Sequence, residues 1–287
     1  MQHIAFIRRR HANHPWGAAL SLLWLAALGG SALAFADAPP ASGAWDYLRP
    51  QFYADREIGI GDAAFLSLEV PASTPDPAAT PLTVRFGDRT IGQLKQLRVI
   101  IDNNPSPVVS TFEFAAGVRV AEIDLRVRID RLTSVRAIAE TTDGRLEMRS
   151  GWVDASGGCS AAPAAAAGGT IGDIRFRNTP DGKALQVGIR HPNNSGFQID
   201  PLSGNPIPPH YVTHIRFSAD GRTLVDVDAG ISLSENPTIR IASDTALPEP
   251  VTVEVIDSKD AHFSASWRGP TTGGETISDA ASPTASR

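Results

Sequence analysis

The sequence predicts an all-β chain: two tandem immunoglobulin-like antiparallel β-sandwiches joined by a Gly/Ala-rich linker. Three observations predict it. Apolar and polar residues alternate in short runs, the two-residue period of a strand with one buried face; the clearest is "IDLRVRID", where Ile123, Leu125, Val127 and Ile129 alternate with Asp124, Arg126, Arg128 and Asp130. Turn signals return roughly every dozen residues, as in sandwiches of short strands. The alternation also stops and restarts on either side of "DASGGCSAAPAAAAGG", residues 154–169, a run too small and flexible for any core.

The chain opens with Arg8, Arg9 and Arg10, an apolar run from Trp16 to Leu28, and the small-x-small triplet Ala34-Phe35-Ala36. That order is an export signal. A membrane span needs about 20 mostly apolar residues, and Gly29, Gly30 and Ser31 interrupt this run early. Residues 1–36 are therefore predicted to be a cleaved signal peptide, with the mature chain beginning at Asp37 in the periplasm. The arginines hint at twin-arginine export, but the following His11-Ala12-Asn13-His14 lacks the usual apolar pair, so the route stays open.

Residues 37–63 are predicted as a tether and a short helical segment, in which Trp45, Leu48, Phe52 and Tyr53 share one face that Pro50 breaks. The first sandwich, 64–154, takes strands at 65–70, 82–86, 94–102, 108–114, 123–130, 134–140 and 146–153. Its last two are joined through Asp143-Gly144, which tolerates the positive φ of a tight hairpin. Residues 155–170 form the Cys-bearing linker. The second sandwich, 171–268, takes strands at 184–191, 211–218, 223–229, 238–242, 251–257 and 262–267, with a hairpin at Asp220-Gly221. Residues 269–287 are rich in Gly, Thr, Ser and Ala without an apolar period and are predicted to be a disordered tail.

Removing residues 1–36 takes away three arginines and no acidic residue, moving the formal charge from −5 to −8. An acidic chain lacks the basic face that displaces counterions from nucleic acid, and for the same reason it is a poor binder of anionic membranes.

Candidate chemistry is sparse. Gly59-Ile60-Gly61 imitates the start of a dinucleotide fingerprint, but that motif works only between a strand and a helix N-terminus, and here it precedes a strand, so it reads as a turn. His210 and His214 have the spacing of a metal pair on a helix; on a strand it separates them by about 13 Å. "IDNNPSP" at 101–107 and "SENP" at 234–237 read as turns closing strands. There is no serine nucleophile elbow, no paired carboxylates set for acid/base work and no Cys-x-x-Cys. No catalytic constellation, metal site or cofactor site is therefore expected.

What remains is Cys159, the only cysteine in 287 residues. A lone thiol in an oxidising compartment suggests an intermolecular bond or a reactive group kept on purpose. Gly157 and Gly158 before it remove side-chain bulk and open the backbone, so they are expected to make a flexible arm that presents an exposed sulfur some 15 to 20 Å from the sandwich, at about 3.5 Å per residue.

A thiol after Gly-Gly at the end of such a sandwich resembles SoxY, the sulfur-substrate carrier of the periplasmic thiosulfate-oxidising Sox system. The second half resembles its partner SoxZ through "HPNNSG" at 191–196, "IPPHYV" at 207–212 and "GISLSENP" at 230–237. Both halves in one chain are similar to SoxYZ-like carriers associated with quinoprotein dehydrogenases, a match that "LRPQFYADREI" at 48–58, "IDNNPSPV" and "SGGCSA" strengthen. The departures are Ser160-Ala161 in place of the last two glycines of the SoxY tail, and a cysteine held at both ends. The resemblance implies a non-catalytic carrier with a covalent, sulfur-containing intermediate on Cys159, and partners among periplasmic redox enzymes, a quinoprotein dehydrogenase or Sox-type enzymes. A disulfide-linked dimer through Cys159 stays open. The rival reading is a non-covalent binding or assembly module for a periplasmic quinoprotein dehydrogenase or cytochrome, with the cysteine incidental.

Overall fold

The computed structural model describes residues 43–163, 169–269 and 276–277. The signal peptide expected at 1–36, the tether before Gly43, the centre of the linker and most of the expected tail lie outside the described residues.

The first half comprises α1 (Gly43–Tyr53), β1 (Gly59–Ile60), β2 (Leu66–Glu69), β3 (Thr80–Phe86), β4 (Leu94–Ile101), β5 (Val108–Phe114), β6 (Glu122–Val127), β7 (Thr133–Thr141) and β8 (Leu146–Val153). The second comprises β9 (Ile174–Asn178), β10 (Ala184–Ile189), β11 (Val212–Ala219), β12 (Arg222–Ala229), β13 (Thr238–Ala242), β14 (Val251–Asp257), β15 (His262–Trp267) and the two-residue β16 (Thr276–Ile277). Every strand read from the alternation is present. Three short ones were not read: β1, which pairs in parallel with β8 and so makes an edge of the glycine turn; β9; and β16, which pairs with β9 inside the segment expected to be disordered. The hairpin glycines behave as expected, with φ of +85° at Gly144 and +71° at Gly221.

The α1 helix lies on the outer face of the first half. Trp45, Leu48 and Tyr53 form a small core with Ile100, Ile138 and Leu146. That cover explains why β7 is buried at all nine positions: Val135, Ala137 and Ala139 face the main core and Ile138 faces the helix. Beneath the helix, Arg136 makes a buried ion pair with Asp102 at 2.7 Å and lies 4.5 Å from the Trp45 ring.

The strands form two sheets, of order β1-β8-β7-β4-β5-β12-β11-β14-β15 and β16-β9-β10-β13-β6-β3-β2. Each sheet runs through both halves. In one, β5 pairs antiparallel with β12, Phe112 opposite Val227; in the other, β6 pairs with β13, Leu125 opposite Ile239. A single apolar core containing Val84, Val99, Phe112, Val227, Ile239 and Val253 fills the space between the sheets on both sides of the seam. The all-β sandwich architecture was legible in the sequence; the edge-to-edge fusion was not. Alternation reports which face of a strand is buried and is silent on its lateral neighbour. Pairing also removes four edges that isolated sandwiches would leave open to association.

Candidate functional site around Cys159

After β8 the chain does not swing outward. Asp154 bridges to Ser73, the Gly157 N–H donates to the Asp130 carbonyl at 2.7 Å, and the Gly158 N–H donates to the Ile129 carbonyl at 2.9 Å. Gly157 has φ +78°, and a Cβ on Gly158 would stand 2.2 Å from the Pro77 carbonyl oxygen and 2.6 Å from that of Ile129. Both glycines are therefore demanded by a docked turn, one by its left-handed backbone and one by close approach. The flexible arm expected of Gly157 and Gly158 is thus corrected: their N–H groups are tied to the segment after β6. Cys159 is 1 % exposed rather than presented to solvent. An intermolecular disulfide has no access to a sulfur at this depth while the turn is docked.

Three side chains hold the carbonyls of the turn. Arg128 Nη1 donates to Gly158 O at 3.1 Å, Ser195 Oγ donates to Cys159 O, and Gln198 Nε2 donates to Ala161 O at 3.0 Å. Arg128 comes from the end of β6, while Ser195 and Gln198 come from the loop after β10, so both halves enclose the thiol. Ser195 and Gln198 are themselves fixed, since the Ser195 N–H donates to Gln198 Oε1 at 2.9 Å.

The turns that read as mere strand closures form the frame. Asn104 Nδ2 donates to Arg128 O and to Ser232 Oγ, and Asn104 Oδ1 accepts from the Asp130 N–H. Asn193, at φ +45°, accepts from the Val212 N–H and donates to Leu233 O, while its own carbonyl accepts from Arg128 Nη2 at 3.4 Å. The His191 N–H and Asn236 Oδ1 join the "HPNNSG" and "SENP" segments. Segments distant in sequence thereby converge on one end of the seam.

Electrostatics keep the thiol quiet. Burial pushes Cys159 up to about 11, reinforced by the Asp130 carboxylate and opposed by Arg128 and Arg131. At neutral pH that leaves about one thiolate in 10⁴ docked molecules. The thiolate is the nucleophile, so the docked state is both closed and protonated. Burial likewise lowers Arg128 from its ordinary value.

Among the described residues one cluster has metal-ligand composition: His191, His210 and Asp257, whose ligand atoms all lie within 4.8 Å of one another. Both Nε2 atoms approach Asp257 Oδ2, at 3.3 and 2.8 Å. His191 Nδ1 accepts the Asn193 N–H at 3.1 Å, so in the neutral ring the proton sits on Nε2 and points at the carboxylate. A metal at that nitrogen would have to displace it. The donor set fits a hydrogen-bonded support for the 191–193 loop, with burial holding His191 down at about 4. His210 thus pairs with His191 and Asp257, and the dismissed partner His214 pairs instead with Asp226 at 2.7 Å.

Arg128, Ser195 and Gln198 were missed. In the alternation Arg128 stands on the polar face, yet it is 1 % exposed, whereas Arg126 on that face is exposed. The strand ends at Val127, and beyond it the docked turn covers what would be the solvent side. No local signal reveals that contact, because its partners are 30 and 65 residues away.

Comparison with known proteins reaches the same residues. The family model described as "Sulfur oxidation protein SoxY" matches residues 50–159, and that described as "Sulphur oxidation protein SoxZ" matches residues 175–268. Among solved structures, the sulfur carrier protein SoxY from Chlorobium limicola f thiosulfatophilum is 19 % identical, with 39 % of this chain and 91 % of that chain covered and a TM-score of 0.33. A β-glycosidase from Bacteroides vulgatus is 10 % identical, with 72 % of this chain and 25 % of that chain covered and a TM-score of 0.24. No curated protein matches the chain. The chain carries a SoxY family domain followed in tandem by a SoxZ family domain, and Cys159 is the last residue of the first.

Proposed function

We propose that this protein is a periplasmic, non-catalytic carrier that holds a sulfur-containing intermediate covalently on Cys159 and presents it to partner redox enzymes. The observation that carries the reading is the position of the single cysteine: it ends the SoxY match and is enclosed by a loop of the SoxZ match. The turn around it is held by three side-chain bonds and two main-chain bonds to the segment after β6, each worth about 0.5–1.5 kcal/mol net, and none of them belongs to the ladders that join the halves. In loading, the Cys159 S–H bond breaks and a bond from Sγ to the sulfur of an incoming sulfur anion forms. The proton leaves to water and two electrons pass to a redox-protein partner. A quinoprotein dehydrogenase among the partners rests on the resemblance alone, and periplasmic location rests on the export signal at 1–36.

Intact-mass spectrometry of the protein taken from its native cells tests the reading. A mass increment on Cys159 that is absent from Cys159→Ser is expected, on a chain whose N-terminus is Asp37. An unmodified thiol under all growth conditions would sink it. Burial of Cys159 favours the second reading, a binding or assembly module, and in that case Cys159→Ser would support the same periplasmic oxidation as the parent chain.

A further inference from the structure

Arg128 is a buried guanidinium without a counter-charge. It is 1 % exposed, Nη1 and Nη2 donate to the neutral carbonyls of Gly158 and Asn193, and Nε has no hydrogen-bond partner. Asp76 and Glu235 are near enough to feel its charge, but among the described residues no carboxylate stands within ion-pair distance, 4.0 Å. The contrast is Arg136, also buried, which holds Asp102 through three hydrogen bonds. An unpaired buried charge is costly, because nothing replaces the water it has lost. The residue bonded to Arg128 Nη1 is the immediate neighbour of the only thiol in the chain.

We propose that Arg128 is a positioning residue, the built-in counter-ion for an anionic group carried on Cys159. This rests on the carrier reading. The unloaded protein carries a cation beside a protonated thiol. Loading with an anion completes the pair, so the turn docks more firmly over a charged adduct than over a neutral one of the same size. Arg128 acts as a positioning residue: the guanidinium pairs with the adduct while its bond to Gly158 O keeps the turn in place.

Tetrathionate supplies a probe with known products. The Cys159 thiolate attacks one central sulfur, the central S–S bond breaks, the Sγ–S bond forms and thiosulfate leaves. The cysteine sulfur is oxidised to the disulfide level and the departing half is reduced. Iodoacetamide on the same cysteine gives a neutral carbamidomethyl group of similar size, with iodide leaving. Full-length protein is converted to each form, as judged by intact mass, and its thermal midpoint is measured at pH 7. The thiosulfonate form of the wild type is expected to melt above the carbamidomethyl form by about 3 °C or more, a shift of the size one restored buried interaction gives a chain this long. In Arg128→Met the order should vanish or reverse, and in Arg128→Lys it should persist with a smaller gap. A wild-type thiosulfonate form no more stable than the carbamidomethyl form overturns the proposal, whether or not Arg128→Met folds; so does an unchanged gap in Arg128→Met. Absence of any native adduct would sink the carrier reading instead, and that measurement is made on cells, independently of this one.

Discussion

Between β5 and β12 and between β6 and β13 the two halves meet through main-chain ladders over a continuous apolar core. Around Cys159 they meet through side chains: Ser195 and Gln198 of the second half reach carbonyls of the turn, and Arg128 of the first half reaches the Asn193 carbonyl. The first junction buries Phe112, Val227, Leu125 and Ile239 and cannot open without exposing them. The second consists of separate side-chain hydrogen bonds. A carrier of the kind proposed, which would keep two domains together while releasing a thiol, would use both kinds of junction, with the releasable one at the end of the seam.

The largest effect should come from the ladder. Phe112 is fully buried, faces Val227 across the seam and stacks on Phe114. Phe112→Ala should cost about 3–5 kcal/mol through lost transfer energy and a residual cavity. Because the core is continuous, urea unfolding followed by tryptophan fluorescence and by far-ultraviolet circular dichroism should still give one coincident transition. Two separated transitions would mean that the halves are energetically independent in spite of their shared sheets.

Next in size are two pH windows, one for each side of the Cys159 end of the seam. His191 is held at about 4 by burial, against a contrary pull from Asp257, and its unfolded value is 6.5. The unfolded chain therefore takes up the proton first as pH falls. The stability His191 contributes is present above about 6.5 and is lost down to about 4. Cys159 has the opposite window. Its folded value of about 11 exceeds the ordinary 9.0, so its contribution is full below about 9 and is lost as pH rises towards 11. Chemical-denaturation midpoints measured across pH should fall in both windows. His191→Gln should flatten the acid fall and Cys159→Ser the alkaline one; a fall that survives its substitution belongs to other groups.

These two junctions were not equally legible in the sequence. Strand faces depend on local order, and every strand read from alternation is present, as are the hairpins at Gly144 and Gly221 and the apolar face of α1, although the helix runs through Pro50 to Tyr53 instead of breaking there. The fusion across β5 and β12 joins Phe114 to Val225, and nothing in either run marks its lateral neighbour. At the thiol, the same glycines that suggested freedom serve close packing, because composition cannot distinguish a mobile Gly-Gly from a docked one. His210 was weighed against its sequence neighbour His214, while its partners His191 and Asp257 lie 19 and 47 residues away. The resemblance to SoxY and SoxZ located the cysteine and the converging loops, but gave no sign that Arg128 and Gln198 would be buried beside them.

The smallest expected effect sharpens the comparison most. Ser195 Oγ donates to Cys159 O and also accepts the Phe197 N–H at 3.2 Å. Ser195→Ala removes the first bond and leaves the ladders untouched, so it should raise the free energy of the docked turn by about 1 kcal/mol. If the turn opens locally, iodoacetamide reaches Cys159 through that opening, and its rate under native conditions should rise about fivefold, the change that 1 kcal/mol makes in an equilibrium constant. The cost also reaches global stability, as a fall of about 2–4 °C in the thermal midpoint for a chain of this size, so the midpoint alone does not tell local from global opening. Urea dependence does. Alkylation of the variant through a local opening should hardly accelerate in low urea, because little surface is newly exposed, whereas opening by global unfolding should accelerate with the full slope of the unfolding transition. If Cys159 alkylation in Ser195→Ala follows that full slope from zero urea, the thiol is released only by parting the halves, and the two junctions are one.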